Sequence, residues 1–305
     1  MLLEKGGLTV ESILEKLKKG RVLISDGAWG TFLQKKGLRP GECPELWNIE
    51  RRTDVLEIAR SYVDAGCDMI ESNSFGATRF KLAHFHLEDR TAELNEAAAA
   101  ISREAAGDTV NVIASIGPTG KMLLMGDVTE EELYAAFRDQ AVALERGGAD
   151  ACCIETFTDI DEARLAVKAA LENTKMTVIS TFSFERTQQG EYRTMMGVTP
   201  AQMANAMMDA GTHIIGTNCG QGMTQMASIV TEIRRATAVH PILVHGNAGL
   251  PVQVGGETLF PETPEQMAET VKGVIAAGAN IVGGCCGTTP DHIRAIKAAV
   301  TASGT

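Results

Sequence analysis

Three cysteines are the residues of this sequence with the clearest capacity for chemistry. Cys285 and Cys286 stand side by side in NIVGGCCGTTPDH (280–292), directly after an apolar run that predicts a buried strand. Cys219 follows a similar run in an earlier part of the chain. Three thiols that converge on one point suit a soft, thiophilic divalent metal, above all zinc. Three protein ligands would leave a fourth position open, which is typical of a catalytic rather than a structural zinc.

The adjacent pair taken alone leaves two other interpretations open, a packed pair and a redox-active disulfide. The position of Cys219 at an equivalent strand end favours metal binding. Adjacent residues on a regular strand point to opposite faces. We therefore expect Gly283, Gly284 and Gly287 to let the chain bulge, so that both sulfur atoms turn toward one ion. A substrate thiol at such a site would stay nucleophilic at neutral pH, which suits thiol alkylation better than hydrolysis.

The rest of the composition narrows the class of protein. The remaining four of the seven cysteines are expected to pack as small apolar side chains; they are Cys43, Cys67, Cys152 and Cys153. An odd number of irregularly spaced cysteines predicts reduced thiols and a cytoplasmic location. The net charge of −11, without a basic run, argues against nucleic acid as a partner. No segment has the character of a secretion signal or a membrane span, so we expect no membrane partner.

One unit of structure recurs along the 305 residues. A short run of Val, Ile, Ala and Cys ends in Gly, Asn, Thr or Ser, and a helical pattern follows. Several runs are apolar without alternation, as expected of strands covered on both faces. Eight such runs occur, in the segments 21–30, 67–77, 111–120, 149–157, 177–184, 213–220, 240–249 and 280–289.

Eight strand–helix units predict an α/β protein with a (β/α)8 TIM barrel, preceded by an extra amphipathic helix (10–19) that covers the barrel floor. A doubly wound open sheet is the competing fold. The sequence has no GxGxxG after the first strand, and the eightfold count favours closure. No Ser/Pro-rich linker divides the chain, so we predict a single domain over 1–305 with its core at about 20–302.

In such barrels the reactive groups lie at the carboxyl ends of the strands and in the loops that follow. Asp26 ends the first strand and Glu155 the fourth, and both could hold a substrate ammonium group. The structural alternatives are a turn or helix cap for Asp26 and a basic partner for Glu155. Asn73 and Ser74 in NSFGAT, and Gly117 in GPTGKM, could offer backbone N–H groups to a substrate carboxylate. GPTGKM is not a Walker motif, so we expect a turn there rather than a phosphate site.

With these residues in view, the chain resembles the homocysteine-binding domain of cobalamin-dependent methionine synthase, betaine–homocysteine methyltransferase and related homocysteine S-methyltransferases. The resemblance runs from about residue 12 to 300 and rests on DGAWGT, ESNSFGAT, ETFTD, GTNCG, NAGLP and VGGCCGTTPDHI. The last motif is nearest to the methionine synthase version. The resemblance implies a TIM barrel in which Cys219, Cys285 and Cys286 hold zinc, and in which Asp26 and Glu155 grip the homocysteine amino group.

The resemblance also has limits. Asn247, in NAGLP, matches a residue that in methionine synthase lies close to the zinc when substrate is absent. The family often has Lys–Pro before NAG, whereas this chain has His245–Gly246, so the contacts behind the metal are expected to differ. Methionine synthase carries folate- and cobalamin-binding domains after this module, and none follows in this sequence. We therefore expect the methyl donor to be a small molecule or a separate corrinoid or folate protein.

The sequence thus predicts a zinc-dependent thiol S-methyltransferase that methylates L-homocysteine to methionine. One alternative is the methyltransferase component of a corrinoid-dependent methyl-transfer or demethylation system with a different acceptor. The other is a non-catalytic zinc- or thiol-binding module, since fold and binding residues alone do not establish catalysis. The segment 250–264 is long for a connection in this fold and is predicted to form a lid.

Overall fold

A computed structural model of the chain describes residues 10–255 and 257–302. The strands are, in chain order, β1 Leu23–Ile24, β2 Met69–Glu71, β3 Asn111–Ile116, β4 Ala151–Phe157, β5 Thr177–Phe182, β6 Glu185–Arg186, β7 Tyr192–Arg193, β8 Ile214–Gly222, β9 Ile242–Asn247, β10 Val252–Val254, β11 Glu257–Leu259 and β12 Ile281–Gly284. The α-helices are α1 Ile13–Lys18, α2 Gly30–Lys35, α3 Trp47–Glu50, α4 Arg52–Ala65, α5 Arg79–Leu82, α6 Thr91–Ala106, α7 Glu130–Arg146, α8 Ile160–Asn173, α9 Pro200–Asp209, α10 Met223–Ala236, α11 Pro264–Ala276 and α12 Pro290–Ala302. In these described ranges, 3₁₀ turns lie at Pro44–Leu46, Ala83–Phe85, Glu88–Arg90 and Leu123–Met125.

Eight of the strands form one parallel sheet in the order β1-β12-β9-β8-β5-β4-β3-β2. Seven of them lie within the predicted segments, β8 extends two residues beyond 213–220, and the sheet curves into a nearly closed barrel. Its two edges, β1 and β2, meet through an acidic residue at each end. Asp68 bonds to both backbone groups of Ile24, and Asp26 Oδ2 accepts the backbone N–H of Glu71 at 2.9 Å. The predicted (β/α)8 barrel is therefore confirmed over the open sheet.

Helix α1 covers the amino-terminal end of the barrel, as predicted, although it begins at Ile13 rather than at residue 10. Ile13, Leu14 and Leu17 pack against the apolar floor of the interior. The buried Lys16 donates from Nζ to Asn111 Oδ1 at 2.7 Å, so its charge has a partner. The floor consists of Leu23, Met69, Ile113, Ala151, Cys153, Ile179, Ile214, Leu243 and Ile281.

Above this floor the barrel interior becomes polar. Side chains alternate along a strand with a period of two, so residues two or four places after the floor residues face the same interior. These positions carry Ser25, Glu71, Ser115, Glu155, Thr181, Asn218 and His245, all of them buried. The fold thus collects polar and titratable groups at the carboxyl ends of the strands.

The helices cover the outside of the barrel, where they pack against outward-facing strand residues such as Val112 and Val178. Helices α7, α9 and α11 each begin with a threonine in a capping box, at Thr129, Thr199 and Thr263. Such caps satisfy N–H groups of the first turn and fix where each helix starts. None of the helices within 10–255 and 257–302 combines the length and apolar character needed to span a bilayer.

Strand β12 runs so close to its neighbours that only glycine fits at position 283. A Cβ there would lie 2.7 Å from Ser25 Cβ, 2.9 Å from the carbonyl oxygen of Asp26 and 3.0 Å from His245 Cδ2.

We expect Gly283→Ala to lower the free energy of unfolding by about 1–3 kcal/mol, since backbone atoms have to move. Urea denaturation measures the change.

The control is Gly273→Ala in α11, where an added Cβ meets nothing within 4 Å. Because alanine is the better helix former, this variant should gain about 0.5–1 kcal/mol. A Gly283→Ala protein as stable as the wild type would contradict the packing described at β12.

Candidate active site

The three predicted thiols meet at the mouth of the barrel. The Sγ atoms of Cys219, Cys285 and Cys286 all lie within 4.8 Å of one another, and those of Cys219 and Cys286 are 3.9 Å apart. A tetrahedral zinc with Zn–S bonds of about 2.3 Å separates its sulfur ligands by about 3.8 Å, so the spacing fits a single ion. All seven cysteines are free thiols, and the other four are buried.

The expected bulge at Gly283 and Gly284 is not where the chain departs from regular geometry. Strand β12 pairs in register with β9 through Gly284, and the two thiols follow after the strand has ended. The alternation of a strand therefore no longer applies to Cys285 and Cys286. Gly283 is required by close packing instead, and Gly287 has a φ of +81° with Phe260 directly against it.

The bulge that orients the cluster lies in β8. The register of β8 against β9 shifts between Asn218 and Gly222, and Cys219 within this stretch has a φ of +58°. A left-handed conformation costs a non-glycine residue about 1–2 kcal/mol. The pairing of β8 with β9 on both sides of Cys219 maintains this strained conformation, which turns the Cys219 thiol toward the other two.

The charges of the three thiols are strongly linked. Hydrogen bonds from Cys285 and Cys286 lower the pKa of Cys219 to about 3. The same contacts with Cys219 raise the pKa of Cys286 to about 12 and that of Cys285 well above its ordinary value. The cluster thus gives up its first proton readily and the others only if a cation offsets the repulsion. This donor set fits a thiophilic divalent metal.

Asn247, at the end of β9, adds an amide to the cluster. Its side chain hydrogen-bonds to Cys219 and so also lowers the pKa of that thiol. Its Oδ1 is buried and has no hydrogen-bond partner among the described residues. An unpaired buried oxygen beside three thiols is a further candidate contact for a metal or a ligand.

Glu155 lies on the wall of the cavity, and its orientation comes from a second bulge. The register of β4 against β5 shifts between Ile154 and Phe157, and Thr156 there has a φ of +62°. Glu155 accepts hydrogen bonds from Ser115 and, at 3.1 Å, from Asn218 Nδ2. Its partners are therefore neutral donors rather than the basic side chain of the structural alternative. Burial raises its pKa to about 7.

Asn218 links the two bulges. Its Oδ1 accepts from the backbone N–H of Thr156 at 2.8 Å and from Thr181 Oγ1 at 2.7 Å. Its Nδ2 donates to Thr156 Oγ1 and to Glu155. Because Cys219 is the next residue, one buried amide fixes both a carboxylate and a thiol of the site.

Asp26 lies behind the cavity wall and is fully buried. Its Oδ2 accepts from Trp29 Nε1 and from the backbone N–H of Glu71, each at 2.9 Å, and Ser25 bonds to Oδ1. Helix α2 has its N-cap at Trp29, so Asp26 is not the cap that the structural alternative proposed. Burial raises the pKa of Asp26 to about 7, although the Trp29 hydrogen bond opposes the rise.

The predicted backbone donors are less available. The N–H of Ser74 donates to Ser72 O at 2.8 Å, and that of Gly117 donates to Phe75 O at 2.9 Å. Ser74 lines the cavity together with Asn73, whose Nδ2 is engaged by Pro44 O. Gly117 lies one layer behind Phe75 instead. The structure therefore does not bring the Gly117 N–H to the cavity.

One cavity of about 260 Å³ is lined by the thiols and by several of the predicted substrate residues. Its wall includes the three thiols, Glu155, Asn73 and the apolar side chains of Trp29 and Phe75. Part of the predicted lid, 250–264, lies beside the segment that carries two of the thiols, because Phe260 packs on Gly287. The lid residue Glu262 also donates its N–H to Ala248 O at 3.0 Å, and the N–H of Ala248 donates to Cys286 O at 3.0 Å. The rest of that segment forms the hairpin β10–β11, and residue 256 falls outside the described residues.

The sequence analysis missed the buried Glu45 on this wall, and it missed a pair of titratable wall residues that lie close together, Glu71 in β2 and His245 in β9. Both lie within 4.8 Å of Glu155, measured between their ligating atoms. Glu71 follows the floor residue Met69 by two places, and that period of two was the signal that could have revealed it.

Comparison with known proteins gives a consistent result. The profile of the homocysteine S-methyltransferase family matches residues 23–300. The methionine synthases of Mycobacterium tuberculosis and Mycobacterium leprae are 34% and 33% identical over 300 and 315 residues. These matches cover 92% and 94% of this chain but 25% of each relative, so the chain spans about a quarter of their length.

A solved structure resembles the fold. The homocysteine methyltransferase MmuM from Escherichia coli, in its metallated form, superimposes with a TM-score of 0.75 at 24% identity. The match covers 93% of this chain and 98% of that chain. At this level of identity the likeness supports the barrel architecture.

The raised pKa of Asp26 makes stability depend on pH. In the unfolded chain an aspartate has a pKa of about 3.9, whereas folding raises that of Asp26 to about 7. The folded state therefore binds more protons between these values, so its stability falls as pH rises through that range. Asp26→Asn removes this dependence while keeping the shape. We compare the melting temperature of the variant with that of the substrate-free wild type. The difference, variant minus wild type, should increase by about 2 °C or more from pH 5 to pH 8.

Thermal unfolding followed by circular dichroism at both pH values measures the difference. Glu71 and Glu155 are present in both proteins, and the Asp26 charge also raises their pKa values, so the difference reports Asp26 together with its effect on these two neighbours. Parallel pH profiles for the two proteins would contradict the burial argument.

Proposed function

Because the chain belongs to the homocysteine S-methyltransferase family, we propose that it transfers a methyl group to the thiol of L-homocysteine and releases methionine. The match confirms the family that the sequence analysis predicted, and the methyltransferase activity is part of this proposal. The single observation that supports this substrate is the presence of three thiols and buried carboxylates on one cavity. Homocysteine carries the two complementary groups, a thiol for a soft metal and an ammonium for carboxylates.

We propose Zn²⁺ as the metal and Cys219, Cys285 and Cys286 as its protein ligands. Thiolate ligands favour zinc over the harder divalent cations, and three of them leave one position for substrate. When bound, zinc would supply the Lewis acid that keeps a coordinated thiol ionised at neutral pH. Asn247, with its unpaired Oδ1, would stand beside the open position.

The carboxylates supply orientation. Glu155 on the wall and Asp26 behind it would attract the ammonium group of homocysteine, whose charge offsets the burial that raises the pKa of both residues. Asn73 and Ser74 lie on the same wall and are the remaining candidates for the substrate carboxylate. A substrate that is held at its thiol and at its amino-acid end presents the sulfur atom to the methyl donor in one direction. The new S–CH3 bond forms as the donor–CH3 bond breaks, and the electron pair of that bond leaves with the donor.

A second candidate function is methyl transfer from a separate corrinoid protein. The loops after β3, β5 and β9 expose large apolar side chains on the face that carries the cavity. Leu124 is 81% exposed, Met125 69%, Met195 84% and Leu250 49%. Large apolar side chains exposed on the face that carries a binding cavity suit contact with another protein. This feature favours a donor carried on a protein over a free small molecule.

A donor screen separates these proposals. The zinc-loaded chain is assayed for loss of the homocysteine thiol with betaine, S-methylmethionine, S-adenosylmethionine, methylcobalamin and a methylated corrinoid protein. Turnover with one small donor supports the first proposal, and turnover with the corrinoid protein alone supports the second. Zinc and homocysteine binding without turnover for every donor would instead indicate a non-catalytic module.

Removing one thiol tests the metal centre. We expect Cys285→Ala to weaken zinc binding by more than about 100-fold, since losing even an outer partner of a metal ligand costs 10–100-fold. Its methyltransferase activity should fall in parallel. Metal analysis after dialysis and the thiol-loss assay give the two readouts.

Cys152→Ala is the matched control, because Cys152 is a buried thiol within β4, outside the cavity. This variant should keep one zinc per chain. If Cys285→Ala kept full zinc content and full activity, the proposed mechanism would be wrong.

A further inference from the structure

Glu71 and His245 form a buried pair that the proposed mechanism leaves without a role. Glu71 comes from β2 and His245 from β9, and they meet across the barrel interior beside Glu155. Their exposed fractions are 8% and 1%. Both nevertheless lie on the wall of the cavity that contains the thiols.

The pair has unused hydrogen-bonding capacity. Glu71 Oε1 and His245 Nε2 are buried without a hydrogen-bond partner among the described residues. His245 Nδ1 lies 3.5 Å from Glu71 Oε1. Asp26 and Glu155, in contrast, each accept hydrogen bonds from protein donors. A buried carboxylate oxygen without a hydrogen bond lowers the stability of the folded state. Because Glu71 lies on the cavity wall, a hydrogen-bond donor of a ligand can reach this oxygen.

The charge of this region indicates the kind of ligand. Burial, together with the charges of Glu155 and Asp26, raises the pKa of Glu71 well above its ordinary value. His245 does not supply the missing positive charge, because burial lowers its pKa to about 4 and leaves the ring neutral. A primary ammonium group brings one positive charge and three N–H donors, so it can bridge several carboxylates at once.

We propose that Glu71 is a recognition residue for the substrate ammonium group, and that His245 is a positioning residue that holds the Glu71 carboxylate toward it. The proposal rests on the proposed function and deepens it. With Asp26 fully buried, Glu71 and Glu155 are the carboxylates of the cavity wall next to His245. The pair would therefore select thiols that carry a free amino group over thiols that lack one.

The test compares two thiols that differ only in the amino group. L-Homocysteine and 4-mercaptobutanoate have the same thiol and carboxylate at the same separation. Calorimetry on the zinc-loaded protein gives both dissociation constants without any need for turnover. We expect Glu71→Gln to weaken homocysteine binding by about 10- to 100-fold, the range for one hydrogen bond to a charged group. Binding of 4-mercaptobutanoate should stay within about twofold.

Matched variants separate recognition from structure. Asp68→Asn changes a carboxylate at the opposite end of β2 and should bind both thiols as the wild type does. His245→Leu should weaken homocysteine binding alone, whereas His245→Asn, whose Nδ2 replaces Nδ1, should restore most of it. Circular dichroism checks that each variant is folded.

The remaining outcomes are distinct. Glu71 does not recognise the ammonium group if Glu71→Gln binds homocysteine as tightly as the wild type. The same conclusion follows if the variant loses affinity for homocysteine and for 4-mercaptobutanoate by the same factor. Two zinc ions per wild-type chain and one per Glu71→Gln chain would make Glu71, Glu155 and His245 a second metal site and overturn the proposal. A wild type that binds neither thiol would instead overturn the proposed function.

Discussion

Negative charge is concentrated at one end of the barrel interior, and the rest of the site depends on how that charge is offset. Three thiols and the carboxyl groups of Glu71 and Glu155 share one cavity wall, with Asp26 directly behind. In the described part of the chain, no lysine or arginine lines this cavity. Burial removes these carboxyl groups from water and so raises their pKa values, and neighbouring like charges add to the rise for Glu71 and Glu155. A metal ion and a substrate ammonium group together would relieve the repulsion.

The fold makes this arrangement possible by separating its interior into two layers. The apolar floor, closed by α1, provides the core that holds the barrel together. The polar layer above can then carry unsatisfied groups that would be destabilising elsewhere. The same layer carries backbone strain at Thr156 and Cys219, where left-handed residues turn Glu155 and a thiol into the cavity. Asn218 hydrogen-bonds to Thr156 and to Glu155 and directly precedes Cys219. The same side chain therefore positions a carboxylate for an amino group and a thiol for a metal.

Much of this structure could be predicted because it follows from local patterns. The eight apolar runs and the residues that end them indicated the barrel, and the strand-end rule brought Cys219 to the same rim as Cys285 and Cys286. Glu71 was missed because it stands inside the apolar run of β2, where a residue is taken for core. His245 appeared only as a departure from the family pattern, although its place two residues after the floor residue Leu243 puts it in the interior layer.

Other features depend on contacts that no single segment encodes. The irregularity that orients the thiols is a register shift in β8 and not a bulge at Gly283, and it depends on the pairing of β8 with β9. The N–H of Gly117 is unavailable because it meets Phe75 O from another loop. Which carboxylate reaches the cavity wall and which stays behind it is likewise decided by the closure of β1 against β2. Long-range geometry of this kind requires the folded structure.

The central claim is that three cysteine sulfur atoms bind one zinc ion and leave a position for a substrate thiol. X-ray absorption at the zinc edge counts these neighbours directly, before and after L-homocysteine is added. The account predicts three sulfur neighbours at about 2.3 Å in the zinc-loaded protein and four with homocysteine. A count below three, or a count that homocysteine leaves unchanged, would contradict it.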